Sequence, residues 1–207
     1  MKGYVETLKE VDNEKDSMYF LEILDKHTTR MNLIINDLLE LSKLEEAEQS
    51  SLEIENVEIH SLVNESIYEC QYASNKKNIQ IYYDFNGEIY FNLNKRLIQE
   101  ALVNIIHNAI QYSSSNTDIY INSYIEKNKL YISVKDEGIG INPNEIKKIF
   151  NRFYCVDKSH SKNTGGTGLG LAIVKHIINL HGGFVKVNSE VDKGSEFIFV
   201  IPKILNE

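Results

Sequence analysis

Leu97-Ile98-Gln99-Glu100-Ala101-Leu102-Val103-Asn104-Ile105-Ile106-His107-Asn108-Ala109-Ile110-Gln111-Tyr112 contains neither glycine nor proline and repeats its apolar residues at helical spacing. Ala101, Leu102, Ile105, Ile106 and Ala109 make the buried face. Asn104, Asn108 and Tyr112 stand at i, i+4 and i+8, so they share one stripe beside it. Carboxamides against an apolar face cost free energy unless they find partners. Hydrogen bonds within the protein would satisfy such a pair. So would a ligand, because a neutral carboxamide oxygen suits Mg²⁺, which takes oxygen donors and keeps several waters and substrate phosphates.

Two further segments carry chemistry. In Leu130-Tyr131-Ile132-Ser133-Val134-Lys135-Asp136-Glu137-Gly138-Ile139-Gly140, strand alternation places Leu130, Ile132, Val134 and Asp136 on one face. Asp136 therefore ends a buried row. An ionised carboxylate only accepts hydrogen bonds, so an adenine amino group satisfies it and a guanine carbonyl is repelled. Gly138 and Gly140 let the backbone turn and approach a flat ring, although an aspartate capping an ordinary turn has the same pattern. Gly165-Gly166-Thr167-Gly168-Leu169-Gly170-Leu171 runs directly into the helical Ala172-Ile173-Val174-Lys175. A glycine-rich segment feeding a helix N-terminus offers N–H groups and the positive dipole end to anions, and an unliganded loop reads alike. It lacks the Gly-Lys-Ser/Thr of a P-loop and the acidic residue of a dinucleotide fold. Between the two lie Phe150-Asn151-Arg152-Phe153-Tyr154 and a polar stretch from Asp157 to Asn163, which read as a mobile lid. Arg152 would reach a phosphate, with Phe150 and Phe153 as anchors.

Outward from these motifs, Asp16 to Glu46 reads as one long helix. Leu24, Thr28, Met31, Ile35 and Leu38 form a heptad-like seam, widened by Ile34 and Leu41, and Glu22, Lys26, Arg30, Asn36, Glu40 and Lys43 lie opposite. Tyr4 to Val11 is expected to end a preceding helix, so that residues 1–46 form a partial helical hairpin needing a partner. Residues 47–51 are a polar hinge, and 52–207 form a second domain. That domain predicts helices over 59–73, 94–112, 144–151 and 168–180. It predicts strands over 79–85, 118–125, 129–135, 184–189 and 196–201. The expected fold is α+β, a sandwich whose mixed, largely antiparallel sheet is covered by helices on one face.

Composition sets the boundaries. The 207 residues carry 22 Lys and Arg against 30 Asp and Glu, a formal net charge of −8, which excludes a basic nucleic-acid footprint. Cys70 and Cys155 stand far apart, without the spacing of a zinc site, and fit a reducing compartment. No apolar run reaches the roughly 18–20 residues of a membrane span. The expectation is a soluble, cytoplasmic piece whose parent can be membrane-anchored.

Taken in order, the segments resemble the catalytic, ATP-binding domain of a bacterial sensor histidine kinase, with its Bergerat-type ATP-binding fold. The asparagine helix resembles that family's N box, Asp136 to Gly140 its G1 box, Phe150 to Tyr154 its F box and Gly166 to Gly170 its G2 box, with Gly194-Ser195 as the last small glycine box. Asn36 to Glu45 resembles the end of the second helix of the dimerisation and phosphotransfer hairpin. The resemblance implies ATP as substrate, Mg²⁺ on Asn108 with help from Asn104, and adenine read by Asp136, with a water held by Ser195. It implies a base pocket shaped by Gly138, Ile139 and Gly140, Tyr112 near the base or ribose, and phosphates cradled by Gly166, Thr167, Gly168, Leu169 and Gly170. Gln111 replaces the family's usual Lys, and Cys155 its usual Arg. Two outcomes are open: these changes weaken lid closure and γ-phosphoryl transfer, or Arg152 and Lys158 compensate.

The resemblance also implies transfer of the γ-phosphoryl group to a histidine and relay to the receiver domain of a response regulator, from a homodimer formed through the hairpin. None of His27, His60, His107, His160, His176 and His181 starts the family's His-Glu/Asp-x-x-x-Pro motif. Lys2 to Leu8 resembles the residues that usually come after that motif, so the expectation is a chain that starts just beyond it, binds ATP and does not phosphorylate itself. Three other readings belong to this fold: a pseudokinase adaptor, an ATP-hydrolysing clamp of the topoisomerase or chaperone type, and a serine kinase of the anti-sigma type. The clamp needs a glutamate four residues before the metal asparagine, where this chain has Asn104.

Overall fold

The computed structural model describes residues 14–47, 52–85, 87–155 and 166–203. The expected helix over Tyr4 to Val11 and most of the 47–51 hinge lie outside these.

The first helix, α1 (Glu14–Glu46), runs unbroken for 33 residues. Its predicted seam is largely left open: Met31, Ile35 and Leu38 are exposed, whereas Leu41 and Leu44 are buried. The face turned to the rest of the chain is a neighbouring stripe of Arg30, Ile34, Asp37, Leu41 and Leu44. Its lower end packs on α4 (Gly170–Leu180), where His176 donates from Nε2 to the Leu44 carbonyl at 2.7 Å.

Five strands form the main sheet: β2 (Gln80–Phe85), β4 (Asp118–Glu126), β5 (Lys129–Asp136), β6 (Phe184–Glu190) and β7 (Gly194–Pro202). Their order is β2-β4-β5-β7-β6. The β2–β4 pair is parallel and the other three pairs are antiparallel, so the sheet is mixed as expected. Lys127 and Asn128 both take positive φ, 49° and 60°, the geometry of a two-residue turn matched to strand twist. Ile119, Ile121, Leu130, Ile132, Val134, Phe197, Phe199 and Ile201 point to one face and are buried. Helices α2 (Ile59–Lys76), α3 (Lys95–Tyr112) and α4 cover that face, and together they make the core. Tyr82 stacks on Tyr120 and Tyr124 on Tyr131 across neighbouring strands, at ring separations of 5.5 and 4.9 Å.

Two four-residue strands, β1 (Glu55–Glu58) and β3 (Tyr90–Leu93), pair antiparallel as a separate small sheet. They are too short to show a period. The expected helix over 144–151 is instead a chain of turns, mostly with three-residue hydrogen bonds such as Lys148 N–H to Glu145 O at 2.7 Å. The Asn142 carboxamide accepts the Asn144 N–H at 3.0 Å, which competes with helix initiation.

Both ends of α3 are fastened from outside. Asn94 caps its start, accepting the Leu97 N–H at 3.0 Å on Oδ1. Fully buried His181 accepts the Asn94 N–H on Nε2 at 3.1 Å and donates from Nδ1 to the Ile177 carbonyl at 2.8 Å. Burial holds its pKa below the usual histidine value, which suits this neutral tautomer. At the other end, Lys77 Nζ donates to the carbonyls of Ile110, Gln111 and Ser113 at 2.8, 2.8 and 2.9 Å.

Candidate functional site

The last residue of β5 sits in the floor of a cleft between the sheet and α3. Asp136 is 4% exposed and receives two backbone N–H groups, from Gly138 at 2.8 Å and Ser195 at 3.1 Å. Both fall on Oδ1, and no described residue donates to Oδ2. Burial pushes the carboxyl above the usual aspartate value, while the Gly138 and then the Ser195 N–H pull it back. The Ser195 hydroxyl lies 3.0 Å from Ser189 Oγ, so Ser195 meets Asp136 through its backbone. Ser189 also accepts the Ile141 N–H at 2.8 Å, which fastens the turn after Gly140 to β6.

Asn108, Tyr112, Asp136, Ile139, Gly140, Ile149, Cys155, Leu171 and Ser195 line this slot, together with Ile141, Tyr154 and Phe197. It shares the walls Asn108, Tyr112, Tyr154 and Cys155 with a wider cavity of about 440 Å³. That second cavity is bounded by Asn104, Gln111, Gly166, Thr167, Gly168 and Gly170, and by Leu33 and Asp37 of α1. The structure thus brings the asparagine stripe, the acidic strand end and the glycine loop around one continuous space. Its two parts suit a flat base and an anionic tail.

Packing explains two of the glycines. A Cβ on Gly138 would fall 2.6 Å from the Tyr112 carbonyl oxygen, and one on Gly170 would fall 2.8 Å from Asn104 Oδ1. Asn104 Nδ2 donates to the Glu100 carbonyl at 3.1 Å, which turns Oδ1 towards the start of α4. Gly168 takes φ +74°, so the helix expected from 168 begins at Gly170. The Thr167 hydroxyl accepts the Leu169 N–H at 3.2 Å, and Leu169 itself is buried.

The expected lid residues lie elsewhere. Arg152 pairs with Glu45 of α1 and lines a separate cleft with Lys175 and His176. Phe153, expected as an anchor, is 56% exposed with φ +60°; its N–H donates to the Gly168 carbonyl at 2.9 Å, tying the lid to the loop by backbone. Phe150 packs on the core. Residues 156–165, which include the rest of the polar lid, lie outside the described residues.

Several contributors carry no signal in the sequence. Arg30 donates to the Gly166 carbonyl at 3.2 Å, and Asp37 is hydrogen-bonded to the Thr167 side chain. Burial raises the Asp37 carboxyl, and that hydrogen bond partly offsets the rise. These α1 residues lie more than 125 positions before the loop they touch, so no local pattern reveals them. Among the described residues no group of three or more His, Cys, Asp and Glu side chains could hold a metal alone. The donors on the asparagine stripe are carboxamides, which fits a hard cation sharing its shell with phosphate oxygens and water.

A family model described as Histidine kinase-, DNA gyrase B-, and HSP90-like ATPase matches residues 93–204, and one described as His Kinase A (phospho-acceptor) domain matches residues 1–47. The chain belongs to the histidine kinase-, DNA gyrase B- and HSP90-like ATPase family, in its sensor histidine kinase branch. It is 36% identical to the sensor histidine kinase WalK of Bacillus subtilis (strain 168), over 98% of this chain and 34% of that protein. It is 34% identical to the sensor-like histidine kinase SenX3 of Mycolicibacterium smegmatis, over 95% of this chain and 51% of that protein. The chain therefore spans about a third to a half of these relatives. Among solved structures, histidine kinase ThkA in complex with response regulator protein TrrA matches 98% of this chain and 56% of the solved one, with TM-score 0.79 and 25% identity. Full-length ShkA in complex with AMPPNP shares the fold over 96% of this chain and 41% of its own, with TM-score 0.78 and 23% identity. Among the described residues no helix is long and apolar enough to cross a membrane.

Proposed function

We propose that the chain binds ATP in the joined cavities and is the catalytic portion of a sensor histidine kinase, which passes the γ-phosphoryl group to a histidine for relay to a response-regulator aspartate. The observation that carries this is Asp136: a buried carboxylate with one oxygen held by two N–H groups and the other available to an adenine amino group. Tyr112, Ile139 and Gly140 flank the base, while Asn104, Asn108, Gln111 and the Gly166–Gly170 amides surround the phosphates. Asn108, helped by Asn104, would hold Mg²⁺, which when bound neutralises charge on the phosphates. Phosphoryl transfer needs little covalent help from the protein, so the residues act by holding the triphosphate in line with its acceptor.

Glu100, the carboxylate nearest to a hydrolytic clamp's spacing, lines neither cavity. It sits against α1, 3.5 Å from Arg96 Nη1. That placement supports transfer over hydrolysis. The exposed Met31, Ile35 and Leu38 suit a second copy of the chain across α1, and the ATP supply suits a cytoplasmic position. ThkA is recorded with a response regulator, which supports a receiver domain as partner.

The test is calorimetry with ATP and Mg²⁺ on the protein and on Asp136→Asn, which puts a donor where the purine amino group needs an acceptor. Affinity is expected to fall at least about tenfold, the equivalent of some 1.4 kcal/mol for one lost buried hydrogen bond. Unchanged affinity would overturn the adenine-reading role.

A further inference from the structure

Cys155 is the feature of the site that the phosphotransfer reading leaves unused. It is half-buried and belongs to the walls of both cavities, next to Asn108, Tyr112 and Tyr154. Its Sγ lies against the glycine loop, 3.4 Å from where a Cβ on Gly168 would stand. Among the described residues, a group added to that sulfur meets either the cavity or the loop backbone. A second observation marks the same space as a ligand site. Asp136, 4% exposed, lines it with an oxygen to which no described residue donates. The other cysteine makes a silent control. Cys70 is fully enclosed beneath α3, and burial pushes its thiol up to about 12.

We propose that Cys155 is a thiol-modification site whose adducts and the nucleotide exclude each other. The proposal rests on the nucleotide reading above. The reagents it takes are low-molecular-weight disulfides and electrophiles small enough to enter the cleft. With a disulfide, the Cys155 thiol gives its proton to water and the thiolate attacks one sulfur. The reagent's S–S bond breaks, a mixed disulfide forms on Sγ, and the other half leaves as a thiolate. The reagent is the oxidant, and added dithiol reverses the step.

The experiment uses 5,5′-dithiobis(2-nitrobenzoate), whose leaving thiolate is coloured. The native protein should release one equivalent, the denatured protein two, and native Cys155→Ser none, since the chain has two cysteines and one is enclosed. At ATP·Mg²⁺ 100 times its Kd, labelling should slow roughly 100-fold, because only the nucleotide-free fraction reacts. The labelled protein should lose ATP binding in calorimetry and regain it with dithiothreitol, whereas Cys155→Ser or Cys155→Ala treated with reagent should bind as before treatment. If ATP binds but labelling is not slowed, or labelled protein binds ATP unchanged, the proposal is overturned and the nucleotide reading stands. If the unlabelled protein binds no ATP, both fall.

Discussion

Gly138 shows how tightly single positions hold this site. Its N–H holds Asp136 Oδ1, and the space a side chain would need is taken by the Tyr112 carbonyl. The neighbouring Ile139 N–H donates to that same carbonyl at 3.3 Å, so the turn after β5 and the end of α3 are joined through one peptide oxygen. Gly138→Ala should therefore force the two apart, costing about 1–3 kcal/mol by overpacking. It should also weaken ATP binding by moving the acceptor oxygen. Urea denaturation and calorimetry read the two effects. Parent-like stability together with parent-like affinity would show that the turn has slack the distances do not suggest. This much is half legible in the sequence: the Asp-x-Gly-x-Gly pattern marks the turn, but only the fold shows that the glycine is required by a carbonyl of another helix.

Among the secondary-structure segments, α3 depends most on remote residues. Its apolar face and asparagine stripe follow from periodicity, and the structure begins it at Lys95 and ends it at Tyr112. Its closure comes from Lys77, which stands just after α2 and donates to three carbonyls of α3's last turn and the residue beyond it. A cation there satisfies carbonyls that lack helical donors and also meets the negative end of the helix dipole. Lys77→Met keeps much of the apolar stem and removes the charge. It should cost about 1–2 kcal/mol, the range for hydrogen bonds to a charged donor tempered by partial exposure. A urea midpoint equal to the parent's would show that water replaces the ammonium without loss. A lysine following a helix looks like any surface lysine in the sequence, because the groups it binds lie more than 30 residues away. The turns at 142–151 depart from the expected helix through a contact of the opposite kind: a short helical pattern is countered by an asparagine side chain bonding to its own backbone.

The largest feature is the seating of α1 on the nucleotide domain. Arg30 and Asp37 reach the glycine loop, Arg152 pairs with Glu45, and Arg96 stands 3.6 Å from Glu40 and 3.5 Å from Glu100. Among the described residues no hydrogen-bond donor reaches the buried Glu100 Oε1. Burial first, and then the Glu40 carboxylate beside it, push the Glu100 carboxyl from 4.5 up to about 8; Asp37 adds to the rise and Arg96 opposes it. Because the folded pKa is the higher one, the protonated form favours the seated state. Its contribution is complete below pH 4.5 and is lost as pH rises towards about 8. The stability difference between the protein and Glu100→Gln, which stays neutral, should therefore shift towards the variant across that window. Thermal unfolding at a series of pH values reads this, and parallel profiles for the two proteins would refute a seated, protonated Glu100.

Periodicity and motif order were enough for the α+β class, the asparagine helix, the two long hairpins and the pairing of an acidic strand end with a glycine loop. Those signals work within one helical turn or along one strand, where neighbouring side chains share a face by covalent geometry alone. The β1–β3 pairing, the His181 and Lys77 fastenings, the Asp136 oxygen to which no described residue donates and the use of a stripe beside α1's seam as its docking face came only from the folded chain. Each joins segments far apart along the sequence. Which polar group meets which across such gaps is set by the close packing of the core, where burying an unmatched donor or charge costs more than any local preference supplies.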